Sequence, residues 1–329
     1  MREAWVITDG AAGNERQALA LAQALDVPAR VLALPLRKPW AWAAPRELPG
    51  GRLALGARDR EVFAPPWPQL AIGCGRSAAL LTRLLRELSD GECFCVQILD
   101  PRIDTRHWDA VIAPRHDGLR GDNVIETLGS LNPVDDAWLA NGREAFADFV
   151  HLPRPRTALL LGGTRRGIAF DDAYARTLIA ELTQRLQREG GSVMATASRR
   201  TPPEFARRLR EALSDFPGVF WLDENDGPNP YPGLLGWADR IVVTPDSVNM
   251  LSESAAVGVP VHTLVTAALP DKLARFHAAL RERGSLHDLD APIERNASPP
   301  LRETAQIAER LRGKIESAGA RHAQDFGGG

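Results

Sequence analysis

Three loops in the second half of the chain carry residue types that could hold a diphosphate. The first is Leu159-Leu160-Leu161-Gly162-Gly163-Thr164-Arg165-Arg166-Gly167, an apolar run that ends in paired glycines. Glycine lets the backbone come close to a ligand, and successive N–H groups can cradle a phosphate. Thr164, Arg165 and Arg166 add side-chain donors at the same place. A Walker loop is excluded, because Gly167 is followed by Ile168 and not by Lys-Ser/Thr. The second loop is Thr196-Ala197-Ser198-Arg199-Arg200-Thr201-Pro202-Pro203, with Thr201 placed to cap a helix whose first turn holds the prolines. A helix start carrying Ser198, Arg199 and Arg200 suits an anion. The third is Thr244-Pro245-Asp246-Ser247-Val248-Asn249-Met250-Leu251-Ser252-Glu253, where Asp246 or Ser247 can cap a helix. Ser247 and Asn249 would face phosphate there, and the carboxylate of Glu253 could accept two ribose hydroxyls. Each loop also has a plainer reading: a tight turn with solvated arginines, a capped helix, a surface glutamate.

The first half offers three candidates for a general base. Asp9 leaves the first strand in Asp9-Gly10-Ala11-Ala12-Gly13-Asn14 and could take a proton from an acceptor hydroxyl or cap a helix. Asp100 closes a strand at 94–99. His116 follows a strand at 110–113, and a neutral imidazole suits base work near pH ~7. Residue types do not choose among them. Gly73-Cys74-Gly75-Arg76-Ser77-Ala78 matches G-x-G-x-x-A, a weak dinucleotide signal outside the first strand-to-helix turn. A short-chain reductase or epimerase should show Tyr-x-x-x-Lys, but Tyr174 and Tyr231 meet Leu178 and Leu235 at that spacing.

These loops need elements to position them. Short apolar runs alternate with helix-period stretches, the pattern of parallel strands joined by crossover helices. Expected strands fall at 5–8, 31–34, 70–72, 94–99, 110–113 and 124–127, with helices at 14–25 and 77–88. A Pro/Trp-rich excursion at 35–68 carries Trp40, Trp42 and Trp67. Prolines at 153 and 155 in the segment 151–156 read as an interdomain linker. Strands then resume at 157–161, 192–196, 219–222, 240–243 and 261–264, with helices at 172–188, 203–213, 233–237, 247–257, 271–283 and 301–317. The expected fold is α/β, two Rossmann-like doubly wound domains facing a cleft. The expected division is 1–150, 151–300, and a C-terminal helix and tail at 301–329.

Composition narrows the function classes. A chain of 329 residues with 44% hydrophobic and 25% charged residues fits two ordinary globular domains. A net charge of −2 gives no global field for nucleic acid, which is not an expected partner. Lys38, Lys272 and Lys314 are the only lysines, so anion recognition would rely on the 37 arginines and their planar guanidinium fork. Cys74, Cys93 and Cys95 make neither a disulfide framework nor a zinc site; Cys93 and Cys95 would point to opposite faces of a strand. The start reads directly into a strand and no apolar run approaches the roughly 20 residues of a membrane span. The expected location is cytoplasmic. Arg37-Lys38-Pro39-Trp40-Ala41-Trp42 mixes cations with interfacial aromatics and is a candidate for peripheral contact with the inner membrane.

The run from Asp246 through Gly258-Val259-Pro260-Val261 resembles the nucleotide-binding stretch of GT-B glycosyltransferases, and Gly162-Gly163-Thr164 resembles their phosphate loop. Over nearly the whole chain the sequence resembles a bacterial member of the Elm-type mitochondrial fission family. The likeness rests on Thr8-Asp9-Gly10-Ala11-Ala12-Gly13-Asn14, Gly73-Cys74-Gly75-Arg76, Gln97-Ile98-Leu99-Asp100-Pro101-Arg102, Pro114-Arg115-His116-Asp117, Ser198-Arg199-Arg200-Thr201-Pro202 and Asp246-Ser247-Val248-Asn249-Met250. The resemblance implies a GT-B glycosyltransferase moving a sugar from a nucleoside diphosphate donor to a hydroxyl acceptor on an envelope saccharide or lipid-linked sugar. No separate cofactor is expected. Gly162, Gly163, Thr164, Arg165, Arg166, Ser198, Arg199, Ser247, Asn249 and Glu253 would hold the donor. The alternative is a non-catalytic scaffold that kept the fold, expected if the phosphate loop is blocked or Glu253 is turned away from the cleft. A metal-dependent GT-A enzyme would want Asp-x-Asp at a strand end. Asp288-Leu289-Asp290 has the letters but lies in a late loop; no metal site is expected.

Overall fold

The computed structural model describes residues 3–165, 167, 168, 170–291 and 298–326, with the side chains of 319–326 excepted. The chain falls into two compact units, one of residues 1–133 with 303–329 and the other of 134–302.

The first unit begins β1 (Ala4–Thr8), α1 (Ala12–Ala24), β2 (Ala29–Ala33). The Pro/Trp excursion holds the short α2 (Trp40–Ala43) and α3 (Ala57–Val62). Then follow β3 (Leu70–Cys74), α4 (Arg76–Leu88), β4 (Phe94–Ile98), β5 (Ala110–Pro114) and β6 (Val124–Thr127). All pairings are parallel, in the order β2-β1-β3-β4-β5-β6. Strand order reverses between β1 and β3, so the loops holding Asp9 and Gly75 border the crevice where such sheets bind ligands. Part of the excursion packs onto the sheet: Leu55 and Phe63 are in its core, with Leu36, Val62 and Trp67 against them. Trp5, Phe63 and Trp67 form an aromatic cluster with ring centroids 5.9–6.1 Å apart, and Leu34, Leu55 and Phe63 are buried. Trp42 is 68% exposed with the Lys38 ammonium 5.1 Å from its ring centroid, and Leu53 is 47% exposed. Cys93 and Cys95 lie on one face and not on opposite ones, because residues two apart on an extended chain point the same way; their Sγ atoms are 3.8 Å apart.

The second unit opens with α5 (Asp136–Ala145), a helix the sequence reading omits because Asn141 and Gly142 lower its propensity. Gly142 is needed for packing: a Cβ there would lie 2.4 Å from the Pro232 carbonyl oxygen. The unit continues β7 (Arg156–Leu161), α6 (Asp172–Glu189), β8 (Ser192–Ala197), α7 (Pro203–Leu213) and β9 (Gly218–Trp221). It ends α8 (Tyr231–Trp237), β10 (Arg240–Val243), α9 (Val248–Val257), β11 (Val261–Thr263), α10 (Asp271–Glu282) and β12 (His287–Asp288). The parallel order is β12-β11-β10-β7-β8-β9, with its reversal between β7 and β10. The segment 151–156 runs inside this unit. Arg156, 7% exposed, folds back to donate to the carbonyls of Leu152 and Val150 and starts β7. The chain then returns to the first unit through α11 (Thr304–Phe326). Glu303 accepts from the amides of Leu128 and Gly129, and Ile307, Ala308 and Leu311 enter the core beside α1.

In β11, in register with Val242 of β10, His262 is fully buried, and neither ring nitrogen has a hydrogen-bond partner among the described residues. Burial pushes its pKa down to about 3, helped by Arg185, His287 and Arg240 and opposed by Glu189. An unfolded histidine titrates near ~6.5. Between these values the unfolded chain binds the proton, so stability falls as pH drops through that window. Urea unfolding should show this acid-side loss, and His262→Phe should flatten it. An unchanged slope in the variant would contradict the assignment.

Candidate functional site

The three loops of the second unit meet because β10, β7 and β8 are neighbours in the sheet. Their carboxyl ends deliver Thr244–Asp246, Gly162–Gly163 and Ser198–Thr201 side by side at the strand-order reversal. What binds them together is the chain's own carboxylate. Asp246 is fully buried; its Oδ2 accepts from the Gly163 amide at 2.9 Å, and its Oδ1 from the Thr244 hydroxyl at 2.8 Å. Thr244 in turn accepts the Gly162 amide at 2.7 Å. Both glycine N–H groups therefore point at protein oxygens. Arg200 reaches Asp246 Oδ2 at 3.4 Å, and Arg165 donates to the Asp246 carbonyl at 3.1 Å. Burial pushes the Asp246 carboxyl upward, opposed by Gly163, Thr244 and Arg200. From below, His277 Nε2 lies 2.9 Å from the Pro245 carbonyl, so the ring carries its proton there and donates.

The glycines have a packing reason as well. A Cβ at Gly162 would stand 2.1 Å from Asp246 Oδ1, and one at Gly163 would stand 2.2 Å from the Arg200 carbonyl oxygen. Close approach is required here, and the approaching atoms belong to neighbouring loops. Thr201 closes the corner: its hydroxyl donates to the Leu161 carbonyl at 2.9 Å and accepts from the Ser198 amide at 2.8 Å. Ser198 accepts from the Arg200 amide at 3.3 Å.

Ser247 caps α9, accepting from the Met250 amide at 3.3 Å. Asn249 is half-buried in its first turn. Glu253 is only 3% exposed, and its Oε2 receives the Tyr231 hydroxyl from α8. Thr164, Arg165 and Arg199 are exposed at the rim, and Arg166 lies outside the described residues. Sequence reasoning assigned no role to Thr244, His277 or Tyr231 and gave Asp246 only a helix cap. Asp246 meets Gly163 from 83 residues away and Thr244 meets Gly162 from 82, across the sheet, and no local spacing signals either contact.

In the first unit the base candidates stand apart. Asp9 is exposed and accepts from the Ala11 amide at 3.0 Å and from the Asn14 side chain at 3.3 Å. Asp100 follows a left-handed Leu99 (φ 72°) and accepts the Arg102 amide at 2.7 Å, forming a tight turn. His116 is half-buried in the turn Arg115–Asp117 after β5. Asp9 and Asp100 follow strands two apart in the sheet, and His116 follows the next one. Strand spacing of roughly 4.8 Å then separates Asp9 from the others by about 10 Å or more. No group of three or more His, Cys, Asp or Glu side chains that could hold a metal occurs among the described residues.

Two six-stranded parallel sheets in separate Rossmann-like lobes define a protein of GT-B-like fold. The chain belongs to the family described as Mitochondrial fission ELM1, which matches residues 12–315. Mitochondrial fission protein ELM1 of Arabidopsis thaliana is 32% identical over 287 residues, 79% of this chain and 67% of that protein. An uncharacterized protein of Rickettsia prowazekii is 24% identical over 293 residues, covering 78% of this chain and 82% of the relative. Among solved structures, UDP-GlcNAc 2-epimerase from Methanocaldococcus jannaschii superposes with a TM-score of 0.59 at 13% identity, over 95% of this chain and 99% of that one. At that identity the likeness speaks for the fold alone.

The lock predicts a measurable cost. Asp246→Ala should destabilise the protein by about 1–3 kcal/mol, because it strands the Gly163 amide. Gly163→Ala should cost a similar ~1–3 kcal/mol through overpacking against Arg200. Denaturant melts check both, and wild-type stability in either variant would show that the loops are not held this way.

Proposed function

We propose that this chain is a non-catalytic adaptor of the mitochondrial-fission-factor type that keeps the GT-B fold without its donor chemistry. One observation carries the reading: the Gly162 and Gly163 amides, which would have to turn to a diphosphate, are taken by Thr244 and Asp246. A nucleotide entering here would have to displace a buried carboxylate or sit against its negative charge. Both cost free energy that a donor-binding loop does not impose. Glu253, buried on Tyr231, points the same way, since a ribose contact would first have to break that hydrogen bond.

The competing reading is a metal-independent transferase using a nucleoside diphosphate sugar and a saccharide or lipid-linked acceptor. It is favoured by the guanidinium cluster of Arg165, Arg199 and Arg200, exposed beside the same loop. Calorimetry with UDP, GDP, CMP, TDP and ADP, with and without magnesium, separates the two. The adaptor predicts no saturable binding of any nucleotide at up to about millimolar concentration. Micromolar binding of one diphosphate, lost in Arg165→Ala and Arg200→Ala, would overturn it in favour of the transferase.

An adaptor must also be held where its partners are. The Arg37–Trp42 segment supplies a contact for anionic lipid, with Trp42 68% exposed and Lys38 stacked on its ring. In co-sedimentation with phosphatidylserine vesicles, Trp42→Ala should lower the bound fraction several-fold while neutral vesicles bind neither protein. Equal binding by the variant would remove the segment from the account.

A further inference from the structure

Apart from the three loops, the first unit has a cavity of about 420 Å³ lined by Arg115, Leu119, Arg120, Val124, Glu126 and Arg310, with Gly121 at its wall. Its charge is unbalanced: three guanidiniums face one carboxylate. Arg120 is paired with Glu126, and Arg115 Nε stands 3.8 Å from the same group. Arg310, exposed on α11, has no ion pair among the described residues. Asp117 and Asp122 flank the loop in sequence but do not line the cavity. Arg115 and Arg120 are 69% and 75% exposed, so their pairing with Glu126 is solvated and weak enough to exchange for a ligand's carboxylates.

The walls below the guanidiniums are apolar. Leu119 and Val124 are partly buried against the core of the unit. Beside them runs an open strand edge, for β6 ends the strand order. Val111 N donates to Asn123 O, so Asn123, Ile125 and Thr127 turn their backbone groups to β5. By the alternation of a parallel ladder, Val124 and Glu126 turn theirs outward; the Val124 amide is donated to the Gly121 carbonyl at 3.1 Å, so the Val124 carbonyl and the Glu126 backbone groups are the ones that face the border of the cavity. An edge able to pair with an extended chain, apolar contacts for methylene groups and a surplus of guanidinium forks together fit one chemistry.

We propose that this cavity and the β6 edge bind an extended acidic segment of a protein partner, its carboxylates on Arg310, Arg115 and Arg120. The proposal rests on the adaptor reading for the class of partner. It lies in the other unit from the nucleotide question, so the two can fail separately.

The test uses the full chain and a fluorescein-labelled peptide of alternating glutamate and valine, read by anisotropy at low and high salt. A lysine–valine peptide and inorganic phosphate serve as controls. The expected result is salt-sensitive binding of the acidic peptide, weakened about tenfold or more by Arg310→Glu and by Arg120→Glu. Arg58→Glu on α3 should leave it unchanged. Both cavity arginines are exposed, so melting temperatures should match wild type, and Arg310→Ala serves if either reversal disturbs folding. No binding of the acidic peptide, or equal loss in Arg58→Glu, would overturn the proposal. Competition by phosphate at the peptide's own concentration would also overturn it, in favour of a small-anion site.

Discussion

The loops at the carboxyl ends of β10, β7 and β8 are joined through one buried carboxylate. Asp246 joins the loop after β10 to the loop after β7 through Thr244 and the two glycine amides, and Arg200 brings in the loop after β8. A carboxylate removed from water is tolerable only when its lone pairs are filled. Here both oxygens are engaged, and the cluster is stiff for that reason. The same bonds that stabilise the corner withdraw its N–H groups from any ligand. Structure and function compete for the same donors, and in this conformation the structural use has them.

The surroundings are built to that constraint. Two glycines are required because Asp246 and the Arg200 carbonyl sit where side chains would go. His277 holds the Pro245 carbonyl, which fixes the approach of Asp246, and Thr201 ties the Ser198 loop to the end of β7. Arg165, Arg199 and Arg200 are exposed at the rim of the corner, although Arg165 and Arg200 also bond to Asp246. Away from it, the exposed features of the first lobe are surface features: a tryptophan stacked with lysine and an arginine-lined cavity beside a strand edge. That distribution suits a molecule that works by contacting other surfaces.

Much of the architecture was legible in the sequence because parallel, doubly covered strands leave short apolar runs. The strands at 124–127 and 240–243 and the helix at 203–213 coincide with β6, β10 and α7. Helix α5 was hidden because Asn141 and Gly142 lower helix propensity, although Gly142 is required by its packing on α8. The return of α11 to the first lobe rests on Glu303 bonding to Leu128 and Gly129, 175 and 174 residues away, which periodicity cannot register. The loops themselves were visible as clusters of glycine, serine and arginine. Their internal wiring was not: a Gly-Gly pair reads the same whether a phosphate or the chain's own carboxylate fills it.

Amide hydrogen exchange at Gly163, with and without excess UDP, tests the lock most directly. The account predicts a protected amide whose protection is unchanged by the nucleotide, because Asp246 keeps the bond. Rapid exchange in the free protein, or protection that shifts when UDP is added, would contradict it by showing that the glycine loop is open to a diphosphate.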